Sequence, residues 1–184
     1  MFNQEVLMNQ NIEKALNAQI GFELYSAYLY MAMTSYLKSI NLNGFAHWME
    51  IQTKEELAHA LKLFNYVTER GGSVVFETLK KPRNKWESPT EVFKDALEHE
   101  QIVTSKIHEI VDLALKEKDH TTNAHMQWYL NEQVEEESNV LGIYQQLKFA
   151  DNSPQALLMF DRELAQRVFV DPNAATAAGQ NKIN

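Results

Sequence analysis

The 184-residue chain contains no cysteine. This absence excludes disulfide bonds, zinc–thiolate sites, iron–sulfur clusters and thiolate nucleophiles, because each of them needs cysteine sulfur. Any metal site must therefore consist of oxygen atoms and imidazole nitrogens. The chain also lacks a run of about 18 apolar residues and a signal-peptide pattern at its N-terminus, so we expect a cytoplasmic protein with no membrane partner.

Basic residues are fewer than acidic ones. The chain has 17 lysines and arginines against 25 aspartates and glutamates, which gives a net charge of −8 at pH 7. Because such a chain repels phosphate backbones, nucleic acid is not an expected partner. The excess of acidic residues favours cations instead.

Proline and glycine are scarce, with four and six copies, and their positions divide the chain into segments. Within these segments apolar residues recur at spacings of three and four, which is the pattern of amphipathic helices, and no segment alternates as a strand would. The sequence therefore predicts an all-α fold. Its helices are expected at about 5–39, 44–70, 89–118, 121–149 and 154–169.

Two of the predicted helices have a recognisable start. Before the third, Ser88 can act as N-cap, Pro89 suits the first helical position, and Glu91 can complete a capping box. Before the fifth, Ser153 precedes a proline and is expected to cap the helix.

Four long helices predict a four-helix bundle whose topology depends on the connections. The first and third connections are a few residues each, so each should join an antiparallel hairpin. The middle link, about residues 72–88, can reach about 56 Å when extended, whereas a helix of this size is about 40 Å long. We therefore expect two antiparallel hairpins joined by a long crossover, with the short fifth helix completing one domain of residues 1–170 and a flexible tail at 171–184.

Polar side chains interrupt the apolar stripe of every long helix close to its midpoint. They are Glu23 in the first helix, Glu56 and His59 in the second, Glu100 in the third, and Gln133 and Glu136 in the fourth. Helix midpoints share one height in a bundle, so these side chains should meet in the core. Buried carboxylates that repel one another are stable only around cations. Oxygen ligands with one imidazole suit iron, manganese or zinc.

Each of these residues also has a simpler interpretation. A single Glu-x-x-His pair such as Glu56 and His59 is weak evidence for a metal site. A lone glutamate on an apolar stripe most often lies near the rim or pairs with lysine. The metal interpretation depends on four inward carboxylates at matched heights. Tyr30 fits either core packing or a hydrogen bond to a ligand carboxylate within electron-transfer reach. The remaining histidines show no matching pattern and are expected to be surface or structural residues: His47, His99, His108, His120 and His125.

In combination, these motifs resemble those of the bacterial non-haem ferritins over about residues 4–169. The resemblance is carried by ELYSAYLY with Glu23 and Tyr30, by EELAHALKLFNYVTERGG with Glu55, Glu56 and His59, by HEQIVTSKI with Glu100, and by QWYLNEQVEEE with Gln133. Bacterioferritins and rubrerythrin-like proteins carry a second Glu-x-x-His in the fourth helix, where this chain has Gln-Val-Glu-Glu. The resemblance therefore implies an asymmetric centre that passes its iron onward.

The resemblance also implies the ligands. The first iron would bind Glu23, Glu56 and His59. The second would bind Glu56, Glu100 and Gln133, so that Glu56 bridges the two ions.

A third iron nearer the cavity is implied by the same resemblance. Its ligands would be Glu55, Glu132, Glu135 and Glu136. On the residues alone, these four are equally well explained as a solvated acidic face.

The activity implied by the resemblance is that of an iron-storage ferroxidase in a hollow 24-subunit shell, with the fifth helix at the four-fold contacts. Two Fe(II) ions would bind at the bundle centre, O2 or H2O2 would take electrons from both, and the ferric ions would move to the cavity and form mineral. Tyr30 is the candidate donor of an additional electron. No haem is predicted.

Three points stay open at this stage. Animal ferritins line their three-fold channels with carboxylates near the start of the fourth helix, but residues 122–126 read TNAHM here. Iron could therefore enter through the subunit itself. A di-iron peroxidase of rubrerythrin type is an alternative, although its rubredoxin module needs cysteines. A non-enzymatic, metal-buffering bundle is another.

Overall fold

The computed structural model describes residues 8–150 and 153–174. These residues form five helices: α1 (Gln10–Ser39), α2 (Asn43–Glu69), α3 (Pro89–Lys116), α4 (His120–Ala150) and α5 (Pro154–Leu164). Those ranges contain no β-strand, so the predicted all-α fold is confirmed. No helix in the described part of the chain is both long enough and apolar enough to cross a membrane.

Two helix boundaries differ from the prediction. α1 begins at Gln10 rather than near residue 5, because Asn9 is non-helical and its side chain accepts hydrogen bonds from the N–H groups of Asn11 and Ile12. Residues 5–7 lie outside the described residues. α5 ends at Leu164 rather than near residue 169, because the following residues leave the helix and lie along α2.

The four long helices form two antiparallel hairpins. α1 packs against α2 and α3 packs against α4, and α1 also contacts α3. The connection at 70–88 follows α1: Asn17 hydrogen-bonds to Ser73 and Val75, and Trp86 packs against Tyr36. Asn17 and Tyr36 are about 28 Å apart along α1 at 1.5 Å per residue. The connection is therefore the predicted long crossover, and α2 and α3 run in parallel.

The start of α3 is only partly as predicted. Ser88 accepts a hydrogen bond from the Glu91 N–H at 3.2 Å, and Pro89 lies in the first turn. Glu91 does not complete the capping box. One of its carboxylate oxygens accepts the Glu87 N–H at 2.7 Å and the other pairs with Arg83 at 2.6 Å, so the arginine and the crossover backbone hold the carboxylate.

The apolar core consists of two clusters, one towards each end of the bundle. A layer of buried polar side chains separates them: Gln19, Glu23, Ser26, Gln52, Glu56, His59, His99, Glu100, Gln133 and Glu136. Burial of apolar area stabilises the two ends at about 25 cal/mol per Å². The polar layer opposes this stabilisation, because buried carboxylates lose their hydration.

α5 packs against α2 and α4 and completes the N-terminus of α2. The residue before α2, Leu42, offers no capping side chain, and Asp161 Oδ1 of α5 accepts the N–H groups of Gly44 and Phe45 at 2.7 and 3.0 Å. A Cβ on Gly44 would lie 1.6 Å from the Asp161 carbonyl oxygen, so a residue without Cβ is required there. Ser153 occupies the N-cap position of α5, but its hydroxyl makes no capping bond.

The chain beyond α5 continues along α2. Arg167 bonds to Glu55 at 2.6 Å, and the Asn173 side chain donates to the Ala58 carbonyl oxygen at 3.0 Å. Of the predicted flexible tail, residues 175–184 lie outside the described residues.

Candidate metal centre

Three potential metal ligands from two helices converge at the centre of the bundle. Glu23 of α1 and Glu56 and His59 of α2 offer ligand atoms that all lie within 4.8 Å of one another. Their exposures are 1%, 1% and 5%. The spacing of three residues places Glu56 and His59 on one face of α2, and 4.0 Å separates Glu56 Oε2 from His59 Nδ1. These are the three residues that the sequence predicts as ligands of the first iron.

Glu100 and Gln133, the remaining predicted ligands of the second iron, lie together in the same layer. Gln133 Nε2 of α4 donates to Glu100 Oε2 of α3 at 3.2 Å. The other Glu100 oxygen accepts a hydrogen bond from the hydroxyl of Tyr30, which is fully buried. Tyr30 therefore contacts a predicted ligand as well as packing in the core.

Three of the predicted ligands carry a buried oxygen atom without a hydrogen-bond partner. These atoms are Glu23 Oε2, Glu56 Oε2 and Gln133 Oε1. A buried polar atom left without a partner costs about 1–3 kcal/mol, and more when it is charged. A divalent cation among Glu23, Glu56 and His59 could take a lone pair from each of the two carboxylates. The chemistry of the donor set therefore fits iron.

Burial dominates the electrostatics of this layer. Loss of hydration raises the pKa of Glu23, Glu56, Glu100 and Glu136 above the ordinary value, and repulsion from neighbouring carboxylates adds to it. Burial lowers the pKa of His59 to about 4. At pH 7 the imidazole is therefore neutral and has a nitrogen lone pair for a metal.

The residues predicted for a third iron lie in different environments. Glu136 is buried, Glu132 is half-buried and Glu135 is exposed. Glu55 forms an ion pair with Arg167 at 2.6 Å. Burial raises the pKa of Glu55 to about 7, although the positive charge of Arg167 acts in the opposite direction. The alternative interpretation as a solvated acidic face therefore fits exposed Glu135 but does not fit buried Glu136.

Two glutamines that hold the carboxylates of predicted ligands were missed by the sequence analysis. Gln19 Nε2 donates to Glu23 Oε1 at 2.9 Å, and Gln52 Nε2 donates to Glu136 Oε2 at 2.8 Å. The first pair has a sequence signal, because residues four apart share a helix face. The second pair joins α2 to α4, and no spacing along the chain indicates it.

The other five histidines do not take part in the metal group. His108 and His120 are exposed, His47 and His125 are half-buried, and buried His99 hydrogen-bonds across to α1. Among the described residues, the one group of three or more His, Asp and Glu ligands contains none of these five.

The start of α4, at residues 122–126, faces partly into the bundle. Thr122 is buried and lies 2.8 Å from the Tyr66 hydroxyl, and Met126 is also buried. These two side chains therefore belong to the core of the bundle rather than to its surface.

Comparison with known proteins identifies relatives over most of the chain. Residues 13–150 match the family described as Ferritin-like domain. The bacterial non-heme ferritin of Staphylococcus aureus (strain USA300) is 35% identical over 163 residues, which is 89% of this chain and 98% of that protein. The bacterial non-heme ferritin of Bacteroides fragilis (strain 638R) is 34% identical over 161 residues, which is 88% of this chain and 100% of that protein.

Solved structures show the same similarity. An engineered closed form of the Archaeoglobus fulgidus ferritin superposes with a TM-score of 0.87 at 46% identity, covering 89% of this chain and 99% of that one. A humanized archaeal ferritin superposes with a TM-score of 0.88 at 47% identity, with the same coverage. The matched length, the level of identity and the shared fold together show that the chain belongs to the ferritin family.

Proposed function

We propose that this ferritin is an iron-storage ferroxidase that oxidises Fe(II) to Fe(III) with O2 or H2O2 at two iron positions in the bundle centre. Membership of the family supports iron binding and storage at the coarse level. The observation that carries the finer proposal is the convergence of Glu23, Glu56 and His59, with two buried carboxylate oxygens that lack partners.

In the proposed centre, Glu23 and His59 bind the first iron, Glu100 and Gln133 bind the second, and Glu56 bridges them. Two Fe(II) ions supply the two electrons that convert O2 and two protons into H2O2, so no one-electron oxygen radical is released. Negative carboxylates stabilise the additional positive charge of Fe(III). The raised pKa values of these carboxyls mean that iron binding displaces protons within the centre itself.

The proposed assignments of Tyr30 and of the third iron rest on their positions. Tyr30 donates a hydrogen bond to Glu100 and is the proposed donor of an additional electron. The third iron would bind Glu55, Glu132, Glu135 and Glu136 on its way to the mineral. Buried Glu136 supports this assignment, since its charge acts on Glu23 and Glu100 of the centre and on Glu55 of the third group.

A hollow 24-subunit shell in the cytoplasm, holding ferric mineral, is also part of the proposal. Exposed apolar side chains on α5 support a subunit contact there: Leu158 and Met159 are 58% and 60% exposed. Neighbouring apolar side chains that are exposed together are typical of protein interaction sites.

The test is aerobic addition of Fe(II) to the metal-free shell, with oxygen consumption and retained iron measured together. A ferroxidase consumes oxygen and retains many irons per chain, whereas a metal-buffering bundle stops at a few. His59→Ala should abolish rapid oxidation and leave the shell assembled, as judged by size-exclusion chromatography. His108→Ala, at an exposed histidine of α3, is the matched control. An unchanged initial rate in His59→Ala would contradict the assignment.

A further inference from the structure

Arg167, which follows α5, places its guanidinium group beside the proposed third iron position. Its Nη2 donates to Glu55 Oε2 at 2.6 Å, and the two side chains are 19% and 17% exposed. The guanidinium carbon lies 4.3 Å from the centre of the Trp48 ring, and Nη1 donates to the Trp48 carbonyl oxygen at 3.4 Å. The side chain is therefore held against α2 by stacking and hydrogen bonds as well as by charge.

The backbone around Arg167 is fixed independently of Glu55. The His47 ring nitrogen Nε2 lies 2.8 Å from the Arg167 carbonyl oxygen, and Asn173 bonds to the Ala58 carbonyl oxygen further along α2. Loss of the ion pair would therefore leave the segment that carries Arg167 in place.

The charges around Arg167 are those of the proposed third site. Glu132 and Glu136 repel the carboxylate of Glu55, and Arg167 attracts both Glu55 and Glu136. A guanidinium group and a metal ion are both cations that the carboxylate of Glu55 attracts, and Arg167 already bonds to its Oε2. One can bind Glu55 fully only when the other has moved away, because two cations at this separation repel each other.

We propose that Arg167 is a positioning residue that competes with iron for Glu55 and so shortens the residence time of iron at the third position. Iron that leaves the centre displaces the guanidinium group from Glu55, and the returning guanidinium group expels the iron towards the cavity. This inference rests on the proposed function, because it takes Glu55 as a ligand of the third iron.

Zn(II) titration of the metal-free shell by isothermal calorimetry tests the proposal without any oxidation. Arg167→Gln should bind the third Zn(II) about tenfold more tightly than wild type. This factor in Kd corresponds to about 1.4 kcal/mol of binding free energy. Affinity for the two central ions should not change. Arg162→Gln is the matched control, because it removes the same charge from an exposed position on α5. In Arg167→Gln combined with Glu55→Gln, the gain should disappear.

The outcomes are distinguishable from those for the proposed function. An unchanged third affinity in Arg167→Gln, or an equal gain in Arg162→Gln, overturns the role of Arg167. No third Zn(II) in either protein overturns both this role and the third site, while the His59→Ala oxidation test still decides on the central pair. Arg167→Lys, which keeps the charge but loses the planar group, gives a smaller gain and serves if Arg167→Gln fails to assemble. Anomalous scattering from Zn(II) beside Glu55 in crystals of Arg167→Gln locates the ion, and its absence there contradicts the proposal.

Discussion

Glu56→Gln should make the metal-free protein more stable and the metal-loaded protein less stable than wild type. Glu56 is 1% exposed, one of its oxygens has no hydrogen-bond partner, and burial together with Glu100 and Glu23 raises its pKa well above 4.5. A neutral amide of the same shape removes the cost of the charge. It also removes the negative ligand that we propose to bridge the two ions.

Proton linkage sets an upper limit on how much Glu56→Gln can raise the free energy of unfolding of the metal-free protein. A buried carboxyl can avoid its charge by taking up a proton, which costs about 1.4 kcal/mol for each pH unit above the pKa in the unfolded chain. From the ordinary value of 4.5 to pH 7, the cost is at most about 3.5 kcal/mol. For a chain of this length, that corresponds to a rise in Tm of up to roughly 14 °C.

The pH dependence has a definite sign. Because the pKa of Glu56 is raised on folding, the folded protein binds more protons than the unfolded chain, and wild type loses stability as the pH rises from 4.5 towards the folded pKa. Gln has no such dependence. The gain in stability of metal-free Glu56→Gln over wild type should therefore be smaller at pH 5.5 than at pH 8.

Scanning calorimetry of the shell at pH 5.5 and pH 8, with and without Zn(II), provides the measurement. Zn(II) at a hundred times its Kd should stabilise wild type by about 2.7 kcal/mol per bound ion and stabilise the variant less, so that the order of the two Tm values reverses. Glu98→Gln, at an exposed position on α3, is the control. A lower Tm for metal-free Glu56→Gln at pH 8, or no reversal with Zn(II), would refute the reasoning.

Three other outcomes are expected. Tyr30→Phe should preserve the number of Zn(II) ions bound and change the ratio of Fe(II) oxidised to O2 consumed in the first turnover, which rapid-mixing oxygen measurements check; an unchanged ratio leaves Tyr30 a packing residue. Ala at Glu132 and Glu135 together should alter the same ratio with little change in Tm, because neither side chain is fully buried, and an unaltered ratio favours the solvated acidic face. Gly44→Ala should detach α5 from α2, since its Cβ would overlap a backbone oxygen of α5, and should lower Tm by several degrees; an unchanged Tm contradicts that contact.

The fold was predictable because helical periodicity and connection length are local properties of the chain. Apolar residues three and four apart define each helix, and the reach of residues 72–88 defines the crossover. The boundaries were less predictable. Asn9 stops α1 through its own side chain, whereas α5 ends early because Arg167 and Asn173 bind α2, a contact that no local pattern indicates.

In the candidate site, too, some features were predictable from the sequence and others were not. Polar residues at the helix midpoints, such as Glu23 and Glu56, were predictable. Each one interrupts an apolar stripe, and a bundle brings the midpoints of its helices to one height. The sequence placed Glu136 on the inward stripe of the fourth helix, where the structure buries it, but it did not determine whether Glu132 and Glu135 face a third iron or the solvent. Burial depends on how α4 is rotated against α2.

The sequence by itself determined the ligand types, oxygen and imidazole without sulfur, and the height at which they meet. Only the tertiary structure decided which atoms lack partners, that Tyr30 bonds to Glu100, and that Arg167 faces Glu55. The physical reason is the separation along the chain over which each interaction acts. Composition and periodicity are properties of one helix, whereas hydrogen bonds and ion pairs between residues about a hundred positions apart exist only after the helices have packed.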